Sequence, residues 1–263
     1  MYHDVAAEGE RSSSGFTGAG ADRYTLTPEL FSAHLDAIAA AGRGPRLVTE
    51  AGDERGVALT FDDGGRSSAL TIAPMLAERR WRVHFLITTE LIGTRGFVGE
   101  DELRALAAEG HAIGSHGHTH RVMTTLADAE ISEEWRRSKA VLEDVLGAPV
   151  TVLSVPTGFY TSRVGRIAAE AGYRHLFTSE PRVRPRSLSG ALVYGRFSVL
   201  ASTPAARVEQ LCRFSRGALW REGAKWYAKR VPKTLLRGHY ERVRRFVLAR
   251  QATIWRSGER EAR

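Results

Sequence analysis

The sequence predicts an α/β fold in which parallel strands are joined by crossover helices. Short apolar runs alternate with amphipathic segments at intervals of roughly 20 to 35 residues, which is the pattern of parallel strands connected by helices. The polar side chains best suited to chemistry follow directly after predicted strands, and parallel strands bring their C-terminal ends to one edge. A chain of 263 residues can bury the core of one barrel-sized domain with an appendage. A barrel and an open doubly wound sheet both fit this alternation.

Each predicted element in the first half of the chain has a local signal. MYHDV at the start is apolar enough for a strand, and a loop rich in Gly and Ser follows it. A helix begins after Thr27, whose hydroxyl suits a cap before Pro28, and Gly42 ends it. The next elements are a strand over 57–61, a helix over 68–80 with a kink near Pro74, a strand over 82–88, a helix over 101–110 and a strand over 111–116.

The alternation continues in the second half of the chain. An amphipathic helix is predicted over 127–147, a strand over 150–155 and a helix over 161–173. Two more strands follow over 174–179 and 191–199, and no internal repeat interrupts the series. These elements complete the set from which a barrel is built.

The net charge of +8 is concentrated in the C-terminal segment. Residues 204–263 carry 16 basic and 5 acidic side chains, whereas residues 1–203 carry 22 basic and 25 acidic side chains. We therefore predict a barrel domain over 1–203 and a basic helical extension over 204–263. The extension interleaves aromatic and cationic residues, which is typical of either a solvated face on packed helices or a peripheral contact with a membrane. No recognition motif for nucleic acid accompanies the charge, so a nucleic acid partner is not expected.

Composition places the chain among globular proteins with an ordinary core. Hydrophobic residues make up 43% and charged residues 26% of the chain, and no run of about 18 apolar residues predicts a membrane span. Cys212 is the single cysteine, which excludes an internal disulfide and a cysteine-rich zinc site. Because the opening residues lack a basic stretch followed by an apolar core, we expect a cytoplasmic location.

Two stretches of the sequence supply side chains that can hold a metal ion. VALTFDDGGR, beginning at Val57, ends an apolar run in Asp62 and Asp63, and GSHGHTH places His116 and His120 four residues apart. Two histidines at that spacing on one helical turn can reach a single ion. With Asp63 they form a set of one carboxylate and two imidazoles, which leaves room for water and substrate as a hydrolytic zinc site requires. Asp62 is then well placed to take a proton from water.

These stretches resemble motifs of the polysaccharide deacetylase family, also called the NodB-homology or carbohydrate esterase family 4 group. TFDDG over 60–64 matches the first family motif, and HGHTH over 116–120 matches the second, with Gly117 where Ser or Thr is usual. The similarity spans about residues 1–200. It implies a deformed (β/α) barrel of the NodB type with Asp62 as the general base. It also implies a metal, usually zinc, held by Asp63, His116 and His120.

The third family motif, R-x-P-x-G, is only partly present. SVPTG has Ser154 where the family has an arginine that orients the catalytic aspartate, so Asp62 is expected to need another partner. The resemblance also implies that a backbone N–H near the proline, here that of Thr157, stabilises the oxyanion. The candidate substrate and oxyanion residues are Pro156, Thr157, Gly158 and Tyr160. The alternative is that the proline and glycine only shape a turn.

The last family motif, L-x-H, has no counterpart, since residues 178–200 contain no histidine. In the family that histidine protonates the leaving amine. The corresponding strand offers Tyr194 and Arg196, and further candidates for the acid are His118 and Glu180. Arg196 cannot act as an acid at neutral pH. It is expected to stabilise negative charge, to pair with Asp62 in place of the missing arginine, or to be a surface cation.

The resemblance implies a zinc-dependent hydrolase, or one using another divalent transition metal, that removes acetyl from an N-acetylated amino sugar. With a cytoplasmic location, the expected partner is a saccharide or a lipid- or nucleotide-linked sugar rather than mature wall polymer. One alternative is an O-deacetylase or another amide hydrolase, because an ester needs less help from a general acid. The other is a catalytically impaired barrel that only binds saccharide.

Overall fold

A seven-stranded sheet lies at the centre of the fold, and six of its strands run parallel. The structure is a computed structural model that describes residues 1–7, 9, 15, 20–50 and 56–235. Its strands are β1 (Asp4–Val5), β2 (Thr25–Leu26), β3 (Thr60–Asp63), β4 (His84–Ile87), β5 (Ala112–Ser115), β6 (Val152–Ser154), β7 (His175–Phe177), β8 (Arg186–Leu188) and β9 (Ala191–Tyr194). The order within the sheet is β3-β4-β5-β6-β7-β9-β8, and β1 pairs with β2 in a small separate sheet.

Helices connect the parallel strands, as the alternation predicted. They are α1 (Pro28–Ala40), α2 (Ala73–Ala77), α3 (Glu100–Ala108), α4 (Asp128–Leu146), α5 (Ser162–Glu170), α6 (Ala205–Cys212) and α7 (Arg216–Leu235). Thr27 caps α1 by accepting a hydrogen bond from the Leu30 N–H, in agreement with the prediction. The helix expected over 68–80 is split, because a π-helical segment at Ser68–Ile72 precedes α2.

The N-terminal residues connect the two ends of the parallel series. The Tyr2 N–H donates to the Thr60 carbonyl (2.8 Å), and the Asp62 N–H donates back to the Tyr2 carbonyl (3.1 Å). On the other side, the Val199 N–H donates to the Met1 carbonyl (3.0 Å). Residues 1–2 therefore bridge β3 to the segment that follows β9, which closes the sheet as a distorted barrel.

Side chains alternate between the two sides of this barrel wall. Phe61, Phe85 and Leu153 belong to the large buried core beneath the surrounding helices. Leu86, Val152 and Phe177 form a smaller apolar cluster of their own. Since successive residues of a strand point to opposite faces, the alternation leaves Asp62 and Ser154 on the same side as the smaller cluster. The register supports this, because Asp62 lies opposite Leu86.

One strand of the fold was not in the sequence prediction. The hairpin strand β8 runs antiparallel to β9, and only β9 was expected. The first compact unit of the chain comprises residues 1–219 and includes α6, which packs on α1. Arg213, at the end of α6, donates to the Ala40 carbonyl at the end of α1 (2.7 Å).

The second unit comprises residues 220–263, of which the structure describes the part of α7 up to Leu235. The rest of the predicted basic helical extension, residues 236–263, lies outside the described residues. Among the described helices, none combines the length and the apolar character that crossing a membrane demands.

Candidate metal centre and catalytic carboxylate

The two adjacent aspartates stand at the C-terminal end of β3, where parallel strands present their functional side chains. Asp63 has a left-handed backbone with φ of 76°. A non-glycine residue in that region is strained, and such strain concentrates at functional sites. The next residue, Gly64, also has a positive φ of 87°. This turn brings both carboxylates to His116, whose Nε2 lies 3.3 Å from Asp63 Oδ1 and 4.0 Å from Asp62 Oδ2.

The histidine pair lies directly after β5. His116 continues the strand ladder, since its N–H donates to the Ile87 carbonyl (2.7 Å). Gly117 and His120 adopt positive φ values of 83° and 55°, which turn the chain back so that both imidazoles face one point. The His120 Nε2 lies 3.2 Å from Asp63 Oδ1. The predicted residues Asp63, His116 and His120 are thus brought together.

The donor atoms of these three residues fit a divalent metal ion. One ligand atom from each of Asp63, His116 and His120 lies within 4.8 Å of the other two, and no other such group occurs among the described residues. The buried Asp63 Oδ1 has no hydrogen bond of acceptable geometry within the described part of the chain, although two Nε2 atoms face it. One carboxylate with two imidazoles is a ligand set that zinc accepts, with positions left open.

Electrostatics keep Asp63 ionised, as a metal ligand must be. Burial alone raises the pKa of this carboxyl, but the adjacent His116 and His120 imidazoles outweigh it and hold the pKa well below its usual range. The carboxylate is therefore available as an anionic ligand at neutral pH.

Asp62 is held by a buried arginine from the far end of the sheet. Arg196 Nη1 donates to Asp62 Oδ1 (2.7 Å), and Nη2 donates to Oδ2 (2.8 Å). Both side chains are almost fully buried, at 4% and 3% exposure. This two-bond geometry is the strongest arrangement of an arginine with a carboxylate. Burial raises the pKa of Asp62, but the Arg196 guanidinium and the nearby His116 outweigh that effect, so the pKa is lowered.

Further contacts fix the Arg196 guanidinium in this position. Its Nε donates to the Thr178 carbonyl (3.1 Å), and Nη1 also donates to the Thr60 hydroxyl (3.0 Å). The guanidinium carbon lies 5.5 Å from the centre of the Phe177 ring, within range of a cation–π interaction. Of the three roles considered for Arg196, the contacts match the pairing with Asp62, and they exclude a surface cation.

Ser154, which stands where the family motif has arginine, connects Asp62 to the histidine pair. Its hydroxyl makes a short hydrogen bond with His116 Nδ1 and lies 3.4 Å from Asp62 Oδ1. The Ser154 carbonyl is also 3.2 Å from the same ring nitrogen. A partner on Nδ1 leaves Nε2 free to face the metal position, which is the usual support for a histidine ligand.

His3 belongs to the same cluster, although the sequence analysis did not select it. Tyr2 packs its ring against Phe61 and Phe31, so alternation directs His3 to the opposite side. The His3 Nδ1 is buried and has no hydrogen-bond partner within the described residues. The pKa of His3 is lowered, because burial outweighs the opposing electrostatic effect of Asp63 and Asp62. That effect shows that the imidazole lies near both aspartates. The proximity of His3 to the aspartates depends on how residues 1–2 close the barrel, which the sequence alone does not show.

The predicted oxyanion segment follows β6 as a short 3-10 turn at Pro156–Gly158. Thr157 and Gly158 have positive φ values of 63° and 74°, so Thr157 is another strained non-glycine residue near the site. The Tyr160 side chain points toward α5 rather than toward the aspartates. Its hydroxyl lies so close to Gly165 that a Cβ atom at that position would be 2.3 Å away from it. The tyrosine ring is instead stacked beneath the Arg186 guanidinium at 5.1 Å.

The other candidate proton donors have partners outside the aspartate cluster. His118 Nδ1 lies 2.9 Å from the Thr89 hydroxyl. Glu180 forms ion pairs with Arg182 and Arg186. The Tyr194 hydroxyl lies 3.2 Å from His175 Nδ1. These contacts lend no support to a role for His118, Glu180 or Tyr194 as the general acid.

Comparison with known proteins places this site in a family. The sequence model of the family described as polysaccharide deacetylase matches residues 49–176. The matched segment contains both aspartates, both histidines and the SVPTG stretch. This part of the chain belongs to the polysaccharide deacetylase family. Arg196 and His3 lie outside the matched segment, so the match alone does not reveal them.

The matches to individual relatives cover only part of each relative's length. The chain is 26% identical over 133 residues to YxkH of Bacillus subtilis, a match that covers 51% of this chain and 48% of that protein. It is 28% identical over 125 residues to chitin deacetylase 1 of Cryptococcus neoformans, covering 48% of this chain and 26% of that protein. The chain therefore spans less than half the length of these curated relatives.

Solved structures share the fold of this chain at low sequence identity. A polysaccharide deacetylase from Bacillus cereus superposes with a TM-score of 0.66 at 18% identity, covering 83% of this chain and 67% of that chain. IcaB from Ammonifex degensii superposes with a TM-score of 0.62 at 19% identity, covering 81% and 97%. The predicted α/β fold of the NodB type, a deformed barrel, is confirmed.

Proposed function

We propose that this protein is a metal-dependent hydrolase that removes the acetyl group from an N-acetylated amino sugar. The observation that carries the proposal is the convergence of Asp63, His116 and His120 beside a second, separately held carboxylate, Asp62. Membership of the deacetylase family supports the reaction class. The metal dependence, the choice of an amide bond and the sugar substrate belong to the proposal.

Asp63, His116 and His120 would hold the ion, and zinc or another divalent transition metal matches their donor set. When bound, such an ion supplies Lewis acidity toward water and toward the acetyl carbonyl. Ser154 orients His116 for this role through its bond to Nδ1.

Asp62 acts as the general base in this proposal. It accepts a proton from the attacking water while the water oxygen adds to the acetyl carbon. Arg196 is a positioning residue, because it holds both carboxylate oxygens without itself touching the reacting atoms. The lowered pKa keeps Asp62 ionised and ready to accept the proton near neutral pH. The Thr157 N–H is the proposed donor to the oxyanion, with Pro156 and Gly158 setting the turn.

His3 is the proposed donor of the proton to the leaving nitrogen. Its Nδ1 is buried without a hydrogen-bond partner in the described structure. Burial lowers the pKa of His3 overall, while the neighbouring Asp63 and Asp62 act in the direction of the protonated form that the step requires. Collapse of the tetrahedral adduct breaks the C–N bond, and the nitrogen takes the proton from His3 to leave as an amine. Water and amide thus give acetate and amine, with the proton from water held by Asp62.

The pair of Asp62 and Arg196 also weighs against a barrel that only binds saccharide. That alternative rested on two absences, the third-motif arginine and the last-motif histidine. In this proposal Arg196 pairs with Asp62 in place of the third-motif arginine, and His3 donates the proton in place of the last-motif histidine. O-deacetylation stays as the second candidate, because an alkoxide leaves more easily than an amine and depends less on His3.

The test separates metal binding from catalysis. Asp63→Ala is expected to lose bound metal and activity together, whereas Asp62→Asn is expected to keep the metal and lose turnover by about 10²- to 10⁴-fold. Metal content by atomic emission and acetate release are measured on the same samples. A variant Asp63→Ala that keeps full metal content would contradict the assignment.

The partner and the location are also proposals. A saccharide or a lipid- or nucleotide-linked sugar is the proposed substrate, and a cytoplasmic site of action is proposed from the sequence. Fractionation of cells, with detection of the full chain in the soluble and membrane fractions, tests the location.

A further inference from the structure

A buried glutamate on α4 holds the loop that carries the two histidines. Glu134 is 6% exposed. Its Oε2 accepts hydrogen bonds from the backbone N–H groups of His118 (3.0 Å) and Thr119 (2.9 Å). Its Oε1 accepts a third hydrogen bond, from the Thr119 hydroxyl. All three donors lie between His116 and His120 in the chain, so one carboxylate fixes the connection between the two proposed ligands.

A second contact from the same helix holds the start of this loop. The Ser115 hydroxyl lies 2.6 Å from that of Ser138, one helical turn after Glu134, and accepts a hydrogen bond from the Gly117 N–H (3.0 Å). Three successive backbone N–H groups, at 117, 118 and 119, therefore bond to side chains anchored on or by α4. A loop held in this way loses little conformational entropy when it takes up the conformation that binds the ion.

His120 depends on this arrangement more than His116 does. His116 is buried, and its backbone bonds to the sheet. The His120 side chain is 37% exposed and follows Thr119 directly, with a strained φ of 55°. Strain of this kind persists only where the surroundings over-determine the backbone. The hydrogen bonds of Glu134 to His118 and Thr119 hold the backbone in this conformation.

We infer that Glu134 is a positioning residue for the metal site, which sets the geometry of His120 without contacting the ion. The inference rests on the proposed function, because it takes Asp63, His116 and His120 as the ligands. Residues that orient metal ligands change metal affinity by about 10- to 100-fold when they are replaced. Glu134→Ala removes both acceptor oxygens and with them all three hydrogen bonds, whereas Glu134→Gln keeps the shape and one acceptor oxygen.

The experiment measures the affinity of the full chain for Zn²⁺ by competition with a chromophoric chelator. The matched control is Glu133→Gln, which removes the same charge from the neighbouring, exposed position of α4. We expect Kd to rise about 10-fold or more in Glu134→Gln, more in Glu134→Ala, and to stay within twofold in Glu133→Gln. Circular dichroism shows first that each variant is folded, and Glu134→Gln serves if Glu134→Ala does not fold.

The outcomes separate the two proposals. A wild-type protein that binds no Zn²⁺ would overturn the proposed function and this inference with it. A wild type that binds Zn²⁺ with Glu134→Gln unchanged would overturn the inference alone. A loss of thermal stability without a change in Kd would also overturn it, since a merely structural role predicts that result.

A second surface, on α7, is independent of the metal site. Trp220 and Tyr227 are 73% and 60% exposed and lie seven residues apart, so they share one face of the helix. Arg216 precedes them on that face, whereas Arg221 and Lys225 lie farther round the helix, at about 120° and about 160° from the centre of the face. All of these side chains are exposed.

The chemistry of this face matches an anionic lipid surface. Exposed aromatic rings with an apolar body and a polar edge prefer the boundary between headgroups and acyl chains. Residues 216–235 carry six basic side chains and one acidic side chain. Cations next to the membrane surface are attracted by its negative charge. We propose that α7 binds anionic membranes peripherally through the exposed face of Trp220, Tyr227 and Arg216, and that the exposed cations Arg221 and Lys225, farther round the helix, add to the attraction.

Sedimentation of the full chain with vesicles tests this proposal. We expect binding to vesicles of phosphatidylcholine with phosphatidylglycerol and little binding to phosphatidylcholine alone. Trp220→Ala with Tyr227→Ala should weaken binding, and Arg221→Glu with Lys225→Glu should weaken it by about thirtyfold or more. The controls are Leu70→Ala, an exposed apolar residue elsewhere, and Arg136→Glu with Arg137→Glu on the exposed side of α4.

Three results would overturn the membrane proposal. The first is that wild type fails to bind anionic vesicles. The second is that the α7 variants bind as well as wild type. The third is that the control charge reversal on α4 weakens binding equally, since binding would then follow net charge rather than this face. Binding to soluble polyanions without binding to vesicles would also contradict the proposal, because it would show attraction to negative charge but not to a lipid surface.

Discussion

Arg196 grips both carboxylate oxygens of Asp62 from a position 134 residues later in the chain. The two side chains are buried together beside the proposed metal ligands. The guanidinium thus meets the need that the family meets with the arginine of the third motif, where this chain has Ser154. The carboxylate proposed as the base is thus held by an arginine that follows β9, which is one of the three roles expected for Arg196.

Arg196→Met is expected to reduce activity and stability together. Breaking a buried pair leaves Asp62 without its countercharge, which costs about 3–5 kcal/mol. The loss of the guanidinium also raises the pKa of Asp62, so the acidic limb of the pH profile of kcat/KM should move to higher pH. Urea unfolding and the pH profile measure the two effects.

The control for Arg196→Met is Arg184→Met, which removes an exposed arginine from the loop before β8. It should leave both the stability and the pH profile unchanged. A variant Arg196→Met with the wild-type acidic limb would show that the arginine does not govern Asp62.

Moving the arginine to the family position should restore part of the lost function. In Arg196→Ser, the space of the guanidinium beside Asp62 is vacated, and Ser154 already faces that carboxylate. We therefore expect Ser154→Arg in the Arg196→Ser background to regain at least about tenfold in kcat/KM, a gain of about 1.4 kcal/mol. Ser154→Arg alone should be inactive or unfolded, because both guanidinium groups would compete for one site.

Ser154→Ala tests the support of His116. The serine hydroxyl is a partner of His116 Nδ1, and its loss should weaken Zn²⁺ binding by about tenfold while the protein stays folded. Isothermal titration with the metal measures the change. Ser187→Ala, on the exposed strand β8, is the control. Equal affinities for Ser154→Ala and wild type would show that the Ser154 carbonyl alone suffices.

His3→Gln distinguishes the two candidate reactions. If His3 protonates the leaving nitrogen, its loss should slow N-deacetylation by about 10²-fold or more and affect an O-acetyl substrate much less. The measurement compares kcat on an N-acetylated oligosaccharide with kcat on an O-acetylated one. Equal losses on both substrates would assign His3 to another step.

His84 predicts how stability depends on pH. Its Nδ1 donates to the Leu59 carbonyl (3.0 Å) and its Nε2 accepts from the Val48 N–H (3.0 Å), so only the neutral ring satisfies both bonds. Burial, with smaller effects from His175 and Arg196, lowers the pKa of His84 from 6.5 to about 4. The unfolded chain therefore binds a proton in a pH range where the folded chain does not.

The sign follows from that difference in proton binding. The free energy of unfolding is highest above the unfolded pKa of 6.5, and His84 lowers it by about 3 kcal/mol as the pH falls toward 4. His84→Gln should flatten this part of the curve, as measured by urea unfolding between pH 7 and pH 4. Parallel curves for the variant and wild type would contradict the prediction.

The sequence was most informative where chemistry is local. The aspartates lie next to each other, the histidines lie four residues apart, and each group follows its own strand, so the ligand set could be predicted. Parallel strands necessarily bring such ends together. Strands with a simple apolar pattern were predictable for the same reason, whereas the short polar strand β8 carries too little pattern to be recognised.

Two residues of the site depend on how the barrel closes: Arg196, for which the sequence left three roles open, and His3, which it did not indicate. Arg196 reaches Asp62 because the segment after β9 lies beside the N-terminal residues, which in turn pair with β3. His3 faces the site for the same reason. Neither position is marked by a local pattern, since a single arginine or histidine after a strand is common. The reassignment of Glu180, His118 and Tyr194 to other contacts likewise required the tertiary structure.

The central claim is metal-dependent removal of acetyl from an amino-sugar nitrogen. The most direct measurement counts acetate and free amine released from an N-acetylglucosamine oligomer by the full chain, before metal removal, after chelation and after Zn²⁺ is restored. The account predicts acetate and amine in equal amounts, with activity lost on chelation and recovered on restoration. Acetate released at the same rate after chelation, or the absence of any amine under all three conditions, would contradict it.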